Sequence, residues 1–483
     1  MLRRTRHAAP WRGLYRPHCA DAAERGLRLI CYDRPGYGGL DTEGRAGITS
    51  DWADTSLPRE ETGGAVDGDV RHLVGLLLGT EDDWPAAFEF LLTSLRPVRD
   101  DAGRQHVFGT ERLTIEPFSL RSKPHTDLVI DRLAYWYYHP REWLKKISLM
   151  DNVYLLNSPF TFQSMEKHAA YCAMMRLGLK VPETVLVPFK NPPDNAKYAY
   201  TSQRYNKSFD LDAIAAQIGY PLYMKPFDGG GWRGVSRVNN ADELHRAYNE
   251  SGQMLMHLQA AVDGFDAFAR SLTIGAETMV MRFDPDAPMH SRYRVEHEFL
   301  RPETGAEVVS ISKIINAFFR WELNSCEVLV KDGEVYPIDY ANACPDVSVT
   351  SLHYYFPWAM QALVKWTVFC LVTGRRPQLD LDTRAYFEIS DRDDLDYAQK
   401  LAGYRRLADT YFDVDAYREF CDARLPDLGR QVLDWVGGPA FDQLLVDTVT
   451  ATYPAHERDR FIAHFRGLIT LWVGDQQSTA GPP

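Results

Sequence analysis

The sequence lacks the features of secreted, zinc-binding and membrane proteins. Its seven cysteines form no CxxC pair and no regular spacing, so neither a disulfide framework nor a structural zinc site is expected. No run reaches the roughly 18 to 20 uncharged apolar residues that a membrane-spanning helix needs. The most apolar stretch, AMQALVKWTVFCLVTG, has Lys365 in its middle and predicts a buried helix. We therefore expect a cytoplasmic protein without membrane contact.

Basic residues are also in deficit. The 483 residues include 54 Lys and Arg against 66 Asp and Glu, which gives a net charge of −12. Because a nucleic-acid surface needs a basic field, no nucleic-acid partner is expected, although a local basic pocket is compatible with this balance. With 45% hydrophobic and 25% charged residues, the chain has an ordinary globular composition, and its length predicts two or three domains.

Two catalytic motifs are absent as well. The chain has no GxxxxGK[ST], so no P-loop is predicted. Residues 229–234, GGGWRG, have the spacing GxGxxG, but strand-forming residues follow them where a Rossmann dinucleotide site needs a helix, so no such site is predicted. Residues 26–41, GLRLICYDRPGYGGLD, resemble a strand and the following loop of α/β-hydrolases, but no GxSxG nucleophile elbow occurs. We assign no chemistry to residues 1–78, which we predict to be an N-terminal extension ending in a polar, glycine-rich linker at 42–69.

The periodicity of the remaining chain predicts a mixed α/β (α+β) fold. TDLVID and NVYLLN are short β-rich runs separated by a helical stretch, which is typical of a βαβ layer. A strand-rich part runs on to residue 340. From residue 353 to 483 the pattern predicts a helical C-terminal region.

Residues 220–238, YPLYMKPFDGGGWRGVSRV, combine a strand, a lysine and bare glycines. The apolar strand presents Lys225 and opens into Gly229, Gly230 and Gly231. Glycine costs stability beside a strand because it loses the most backbone freedom on ordering. Peptide N–H groups without side chains can, however, approach an anion closely. The stretch therefore predicts an element that binds polyphosphate.

Residues 324–346, NSCEVLVKDGEVYPIDYANACPD, predict a β-hairpin that turns at KDG. In that hairpin Glu327 and Asp339 lie near each other, and Asn342 follows directly. Two carboxylates at close range are unfavourable unless a cation lies between them. Two carboxylates, one amide and the oxygens of a phosphate suit Mg²⁺, so the hairpin predicts a metal–nucleotide site.

These elements, in this order over residues of about 160–350, resemble the ATP-grasp superfamily. The resemblance implies a pre-ATP-grasp α/β domain at 79–160 and an ATP-grasp domain at 161–352, whose lid covers about 182–256. It implies ATP and two magnesium ions as cofactors, with manganese as a substitute. The family's second metal strand usually ends E-x-N, whereas this chain has Asp339-Tyr-Ala-Asn342.

The resemblance also implies roles for single residues. It implies that Lys167 and Lys225 contact phosphate while Gly229, Gly230 and Gly231 fold over the β- and γ-phosphates. The metal ligands would be Glu327, Asp339 and Asn342. His257, Leu258 and Gln259 would form the strand beside adenine, with the backbone of Leu258 pairing with the base. Peptide-forming relatives often carry an arginine two positions before the first metal ligand, where this chain has Ser325.

Four basic residues are candidates for binding the carboxylate or the acyl phosphate. They are Arg292, Arg294, Lys313 and Arg320. Arg292 and Arg294 are two apart, so on a strand they would point the same way, either as a clamp on an anion or as a solvated face. Lys313 alternates with isoleucines and is predicted on a central strand, with a role in binding phosphate or the acyl phosphate.

The resemblance implies a ligase that activates a carboxylate as an acyl phosphate and joins it to an amine, forming ADP. The partners would be a small-molecule acid and amine, with homodimerisation left open. Two alternatives stay open: an ATP-grasp kinase or carboxylase, and a nucleotide-binding regulatory protein without turnover. The sequence identifies neither the acid nor the amine.

Overall fold

A computed structural model describes residues 69–161, 166–191, 195–197, 200, 208–230, 232–342 and 344–479. The predicted linker at 42–69, except for Asp69, lies outside the described residues, as does Gly231. The described chain is a mixed α/β structure of three sheets followed by a helical C-terminal region, so the predicted fold class is confirmed.

The first sheet has five strands in the order β2-β3-β1-β4-β5. Its strands are β1 (Asp69–Leu77), β2 (Val98–Arg99), β3 (Gln105–Arg112), β4 (Leu128–Asp131) and β5 (Tyr154–Leu156), with helices α1 (Asp83–Thr93) and α2 (Tyr138–Asp151). β4 and β5 pair in parallel across α2, as the βαβ prediction requires. β1 pairs with both β3 and β4, so residues 69–77 belong to this sheet and not to the predicted extension. The rest of the domain division stays a prediction.

The second sheet has four strands in the order β6-β9-β7-β8. Its elements are α3 (Lys167–Arg176), β6 (Thr184–Val187), α4 (Leu211–Ile218), β7 (Leu222–Pro226), β8 (Ser236–Val238), α5 (Ala241–Glu250) and β9 (Met256–Ala260). This sheet shares a small hydrophobic core with α4 and α5, which includes Leu222, Met224 and Leu258, whereas α3 packs in the main core. Side chains cap both of the later helices: Asp210 accepts from backbone N–H groups of α4, and Asn240 does so for α5.

The third sheet has five antiparallel strands in the order β12-β11-β10-β13-β14. Its elements are β10 (Ala267–Ile274), β11 (Glu277–Phe283), β12 (Tyr293–Arg294), α6 (Pro302–Phe319), β13 (Leu323–Lys331) and β14 (Glu334–Asp339). The predicted hairpin is β13–β14. Asp332 and Gly333 turn it with φ angles of 52° and 80°, the left-handed pair that a two-residue hairpin turn favours.

The strand predicted around Lys313 is wrong, because the residue lies in α6. Ile311, Lys313 and Ile315 alternate as in a strand, but Ser312 and Ile314 between them are equally buried. A helix that is buried on almost every side has no amphipathic period, so a short apolar run gives no clear choice between helix and strand.

The C-terminal region is helical, as predicted. It contains α7 (Val349–Leu352), α8 (Phe356–Val372), α9 (Arg384–Ser390), α10 (Tyr397–Tyr411), α11 (Val414–Arg424), α12 (Leu428–Val436), α13 (Pro439–Thr452) and α14 (Arg458–Thr479). Among the helices of the described ranges, none combines the length and apolar character needed to cross a bilayer.

A buried carboxylate joins these helices to the first and third sheets. Glu322, just before β13, accepts hydrogen bonds from the hydroxyls of Tyr154 and Tyr411, both at 2.7 Å. The indole N–H of Trp366 donates to its other oxygen at 2.9 Å, and the Arg375 guanidinium lies 3.7 Å away. Such a fully bonded charge is tolerated in a core, whereas an unpaired one is costly.

Candidate active site

One cavity collects the two predicted phosphate-binding lysines and the three predicted metal ligands. It is lined by both lysines, Lys167 and Lys225, and by the hairpin residues Glu327, Asp339 and Asn342. The second sheet and its glycine loop form one part of the wall, and β10, β13 and β14 of the third sheet form another. Groups that are more than 150 residues apart in sequence therefore face a single space.

Lys225 lies on β7 with its ammonium group buried against the hairpin. Its Nζ donates to Gln259 Oε1 at 2.7 Å and reaches the carbonyl of Ile338 at 3.4 Å. Burial lowers the pKa of Lys225 to about 8, although the negative charge of Asp339 acts in the opposite direction. At neutral pH this side chain still carries a proton and a positive charge.

Lys167 is the first residue of α3, and its ammonium group bridges the glycine loop and the hairpin. Nζ lies 2.8 Å from Asp339 Oδ2 and donates to the Gly229 carbonyl at 3.0 Å. Its own backbone N–H bonds to the carbonyl of Phe227 at 2.8 Å, which fixes the start of the helix beside the loop. The two lysines thus approach the cavity from different elements.

The hairpin brings Glu327 and Asp339 near each other, as predicted, and places them directly opposite in register. A β-bulge follows, because the next pair is Val328 with Pro337 and Ile338 is left over. The extra residue presents its carbonyl to the Tyr171 hydroxyl at 2.8 Å as well as to Lys225. Burial raises the pKa of Glu327, so this carboxylate gains from any cation placed beside it.

Asn342 reaches the cavity in spite of the longer spacing in this chain. Its amide donates to Ser325 Oγ at 2.9 Å, and its backbone N–H bonds to Asn324 at 2.8 Å. Its amide oxygen accepts from the backbone of Cys344 at 3.3 Å. The side chain is therefore held by β13, on the strand that carries Glu327.

The donor set fits a magnesium ion bound together with phosphate. Two opposed carboxylates and one amide are the hard oxygen ligands that Mg²⁺ prefers, and this ion usually completes its shell with water and substrate phosphate. Within the described ranges, no group of three or more His, Cys, Asp or Glu side chains is arranged to hold a metal. Glu327, Asp339 and Asn342 as metal ligands therefore stay a prediction that the chemistry of the site supports.

Gly229 and Gly230 line the cavity at the loop after β7. Gly229 has φ of 90°, a conformation that glycine adopts without strain. A Cβ atom added at either position would meet nothing within 4 Å, so open space lies over this backbone.

Burial raises the pKa of the Tyr135 hydroxyl to about 12, and a hydrogen bond from the backbone of Gly229 offsets part of this rise.

The three residues predicted beside adenine lie on β9, and none of them lines the cavity. Leu258 has register partners on both sides, in β6 and β7. Because the N–H and C=O of a strand residue point to the same side, its backbone groups are already used in the sheet, which contradicts the predicted pairing of Leu258 with the base.

His257 and Gln259 share the face of β9 that carries Lys225 on β7. His257 stacks on His168, with 3.2 Å between their ring nitrogens. Burial lowers the pKa of His257 to about 3, so the ring is neutral. A role for these two side chains in nucleotide binding stays a prediction.

The four basic candidates lie elsewhere, and none of them lines the cavity. Lys313 faces Asp409 of α10 at 3.6 Å, and Arg320 caps α6 with its guanidinium 4.7 Å from the ring of Tyr411. Both are placed by α6, which turns them toward the C-terminal helices.

The predicted clamp of Arg292 and Arg294 does not form. Arg292 ends a 3₁₀ turn and donates to the Ala287 carbonyl at 3.1 Å, whereas Arg294 on β12 pairs with Asp284 at 2.8 Å. The two residues are not on one continuous strand, so their spacing of two does not give a common direction.

Several further residues line the cavity that were not predicted from the sequence. Arg270 lies on β10, opposite Glu327 in register. Tyr135 and Trp136 come from the loop after β4, and Trp232 and Arg233 from the loop after the glycines. The signal for Arg270 was a single charge in the apolar strand AFARSLTI, and its meaning depends on strand pairing that the sequence does not show.

Comparisons with known proteins give partial matches. No protein-family model matches this chain. The vancomycin B-type resistance protein VanB of Enterococcus faecalis is 24% identical over 145 residues, which are 30% of this chain and 36% of that protein. The vancomycin/teicoplanin A-type resistance protein VanA of Enterococcus faecium is 31% identical over 96 residues, which are 20% of this chain and 28% of that protein. The chain thus spans about a third of these curated relatives.

Solved structures also match. A RimK domain ATP-grasp protein from Sphaerobacter thermophilus has 13% identity and a TM-score of 0.39 over 57% of this chain and 92% of its own. The D-alanine–D-alanine ligase of Bacillus anthracis complexed with ATP has 14% identity and a TM-score of 0.42 over 63% and 99%.

The predicted ATP-grasp resemblance is confirmed. In this chain the second sheet supplies Lys225 and the glycine loop, and the third sheet supplies the acidic hairpin. The helical C-terminal region from residue 353 onward is a further part of the described chain.

Proposed function

We propose that this chain is an ATP- and Mg²⁺-dependent ligase that activates a small-molecule carboxylate as an acyl phosphate and joins it to an amine. One observation carries the proposal: two ammonium groups and two opposed carboxylates face the same cavity. Phosphoryl transfer from ATP needs cations that bind the phosphates and carboxylates that bind a metal ion. The acyl and amine chemistry is taken from the ATP-grasp resemblance.

The first step transfers the γ-phosphoryl group. A carboxylate oxygen of the acid forms a bond to the γ-phosphorus, the bond from that phosphorus to the bridging oxygen breaks, and ADP leaves with the electron pair. Lys167 and Lys225 neutralise the phosphate oxygens, and the bare N–H groups near Gly229 and Gly230 are free of side chains that would block them. When bound, magnesium supplies further positive charge at the same oxygens.

The second step forms the amide. The amine nitrogen attacks the carbonyl carbon, phosphate leaves with the electrons of the carbon–oxygen bond, and the nitrogen loses a proton. Closure of the glycine loop over the cavity would keep water from hydrolysing the acyl phosphate. We place this activity in the cytoplasm, and a homodimer stays open.

Trapping the acyl phosphate tests the proposal. Purified protein is incubated with Mg·ATP, pools of amino acids and small carboxylic acids, and hydroxylamine, which converts an acyl phosphate to a stable hydroxamate. We expect ADP release and hydroxamate to depend on one acid, and the natural amine to replace hydroxylamine in a second screen. The variant Lys225→Ala should lose both products, whereas Arg282→Ala, at a surface ion pair with Glu296, should keep them.

The other outcomes separate the alternatives. ADP release that depends on an acceptor but gives neither hydroxamate nor amide would favour a kinase. Tight Mg·ATP binding without ADP release in any pool would favour a regulatory protein. Both results would contradict the ligase proposal.

A further inference from the structure

Arg270 presents a largely buried guanidinium group to the cavity, with its side chain 16% exposed. It projects from β10 next to β13, where its register partner is Glu327. Its guanidinium carbon lies 5.2 Å from the ring of Phe283 and 5.9 Å from the ring of Tyr293. Aromatic rings at these distances favour a cation and hold a planar guanidinium in place, so its direction toward the cavity is fixed.

The polar contacts of Arg270 are long. Nη1 lies 3.7 Å from Glu327 Oε1, and Nη2 lies 3.4 Å from Ser325 Oγ. Nε is buried and has no hydrogen-bond partner among the described residues. A guanidinium has five N–H donors, and here none of them makes a close bond to a carboxylate.

The surface arginines of the same fold differ in this respect. Arg282 on the neighbouring strand contacts both oxygens of Glu296 at 2.7 and 2.6 Å. Arg237 contacts both oxygens of Asp263 at 2.7 Å. The more buried arginine is therefore the less well paired, although burial without close partners costs the most. An anion that enters the cavity and accepts hydrogen bonds from Arg270 would offset this cost.

We infer that Arg270 is a catalytic residue that binds the phosphoryl group while it passes from ATP to the acceptor. The inference rests on the proposed nucleotide site. Lys167 lies at the Asp339 side of the cavity and Arg270 at the Glu327 side, so a phosphoryl group that enters between the two carboxylates would have a cationic side chain on each side. A rigid fork of donors matches the oxygens of a phosphoryl group better than an ammonium does.

A mimic of the transferring group tests the inference without turnover. The affinity for Mg·ADP is measured by calorimetry with and without aluminium fluoride, which imitates the phosphoryl group in flight. In the wild type we expect aluminium fluoride to increase the affinity at least about 10-fold. Arg270→Ala should lose this increase while its affinity for Mg·ADP alone stays within about 3-fold, and Arg270→Lys should regain only part of it. Arg282→Ala is the matched control and should behave as the wild type.

Two results would overturn the inference. One is a full increase in Arg270→Ala; the other is the absence of any increase in the wild type. Circular dichroism and thermal unfolding identify a variant that fails to fold, in which case Arg270→Lys carries the test. If aluminium fluoride acts through Arg270 but no acid yields a hydroxamate, the ligase proposal fails and this inference stands. If hydroxamate forms at the wild-type rate in Arg270→Ala, the inference fails and the ligase proposal stands.

Discussion

Lys225 and Lys313 are both buried, and burial lowers the pKa of each to about 8. Their surroundings differ. Lys225 lies at an open cavity with a second lysine and two carboxylates. Lys313 is on α6, where its acidic neighbour Asp409 is 3.6 Å away and is already paired with Arg405 at 2.9 Å.

A buried lysine with a lowered pKa therefore does not identify a functional site by itself. Desolvation acts on any buried ammonium group, in a packing interface as much as in a catalytic one. What distinguishes Lys225 is the space beside it and the opposite charges that converge there. The comparison between the two lysines can be tested directly.

The largest effect is expected on nucleotide binding. Lys225→Ala should weaken the affinity for Mg·ATP by about 10- to 100-fold, because a charge-assisted hydrogen bond to phosphate contributes about 1.5–3 kcal/mol. Lys313→Met should leave the affinity within about 2-fold of the wild type. Calorimetric titration with Mg·ATP measures both. Equal losses in the two variants would show that the cavity does not set the role of Lys225.

A second effect concerns the metal. Glu327→Gln should reduce the ratio of ATP affinities measured with magnesium and with EDTA by about 10-fold or more, since altering even the groups that support metal ligands lowers metal affinity 10- to 100-fold. Glu334→Gln is the matched control, because Glu334 lies at the exposed end of the same hairpin and pairs with Lys180 at 2.6 Å. An unchanged ratio in Glu327→Gln would remove Glu327 from the metal site.

The smallest effect is on stability and depends on pH. The folded chain lowers the pKa of Lys313 to about 8 from an ordinary value of 10.5, so between these pH values the unfolded chain binds more protons and stability rises with pH. Below pH 8 the folded chain bears the full cost of the buried charge. Lys313→Met should therefore be more stable at pH 7 by on the order of 1–3 kcal/mol, and this advantage should shrink toward pH 10. Urea unfolding at both pH values measures it; an advantage that grows with pH would contradict the account.

The sequence predicted the features that depend on local chemistry. The turn at Asp332 and Gly333 has its own signature and pairs Lys331 with Glu334, which brings Glu327 near Asp339. The β-bulge at Ile338, which was not predicted, then places the two carboxylates directly opposite each other. The position of Lys225 was predictable for the same reason, because an apolar strand leads directly into the glycines that follow it. These signals lie within a few residues of each other, so no tertiary information is needed to read them.

Features that depend on distant pairing were not predictable. Arg270 and Glu327 are register partners only because β10 and β13 are neighbours, with α6 between them in sequence. The same holds for Leu258, whose backbone groups are used within the sheet because β9 lies between β6 and β7. Lys313 was placed on a strand because burial on nearly all faces of α6 erased the helical period.

The carboxylate of Glu322 connects parts of the chain that are far apart in sequence. Tyr154 comes from the first sheet, Glu322 from the approach to β13, and Trp366 and Tyr411 from two C-terminal helices. A chain truncated after residue 352 would lack most of the groups that donate to this carboxylate and would leave its charge without sufficient hydrogen bonds. The C-terminal third thus stabilises the strand that carries Glu327. A truncated protein without it would be expected to lose the geometry of the cavity as well.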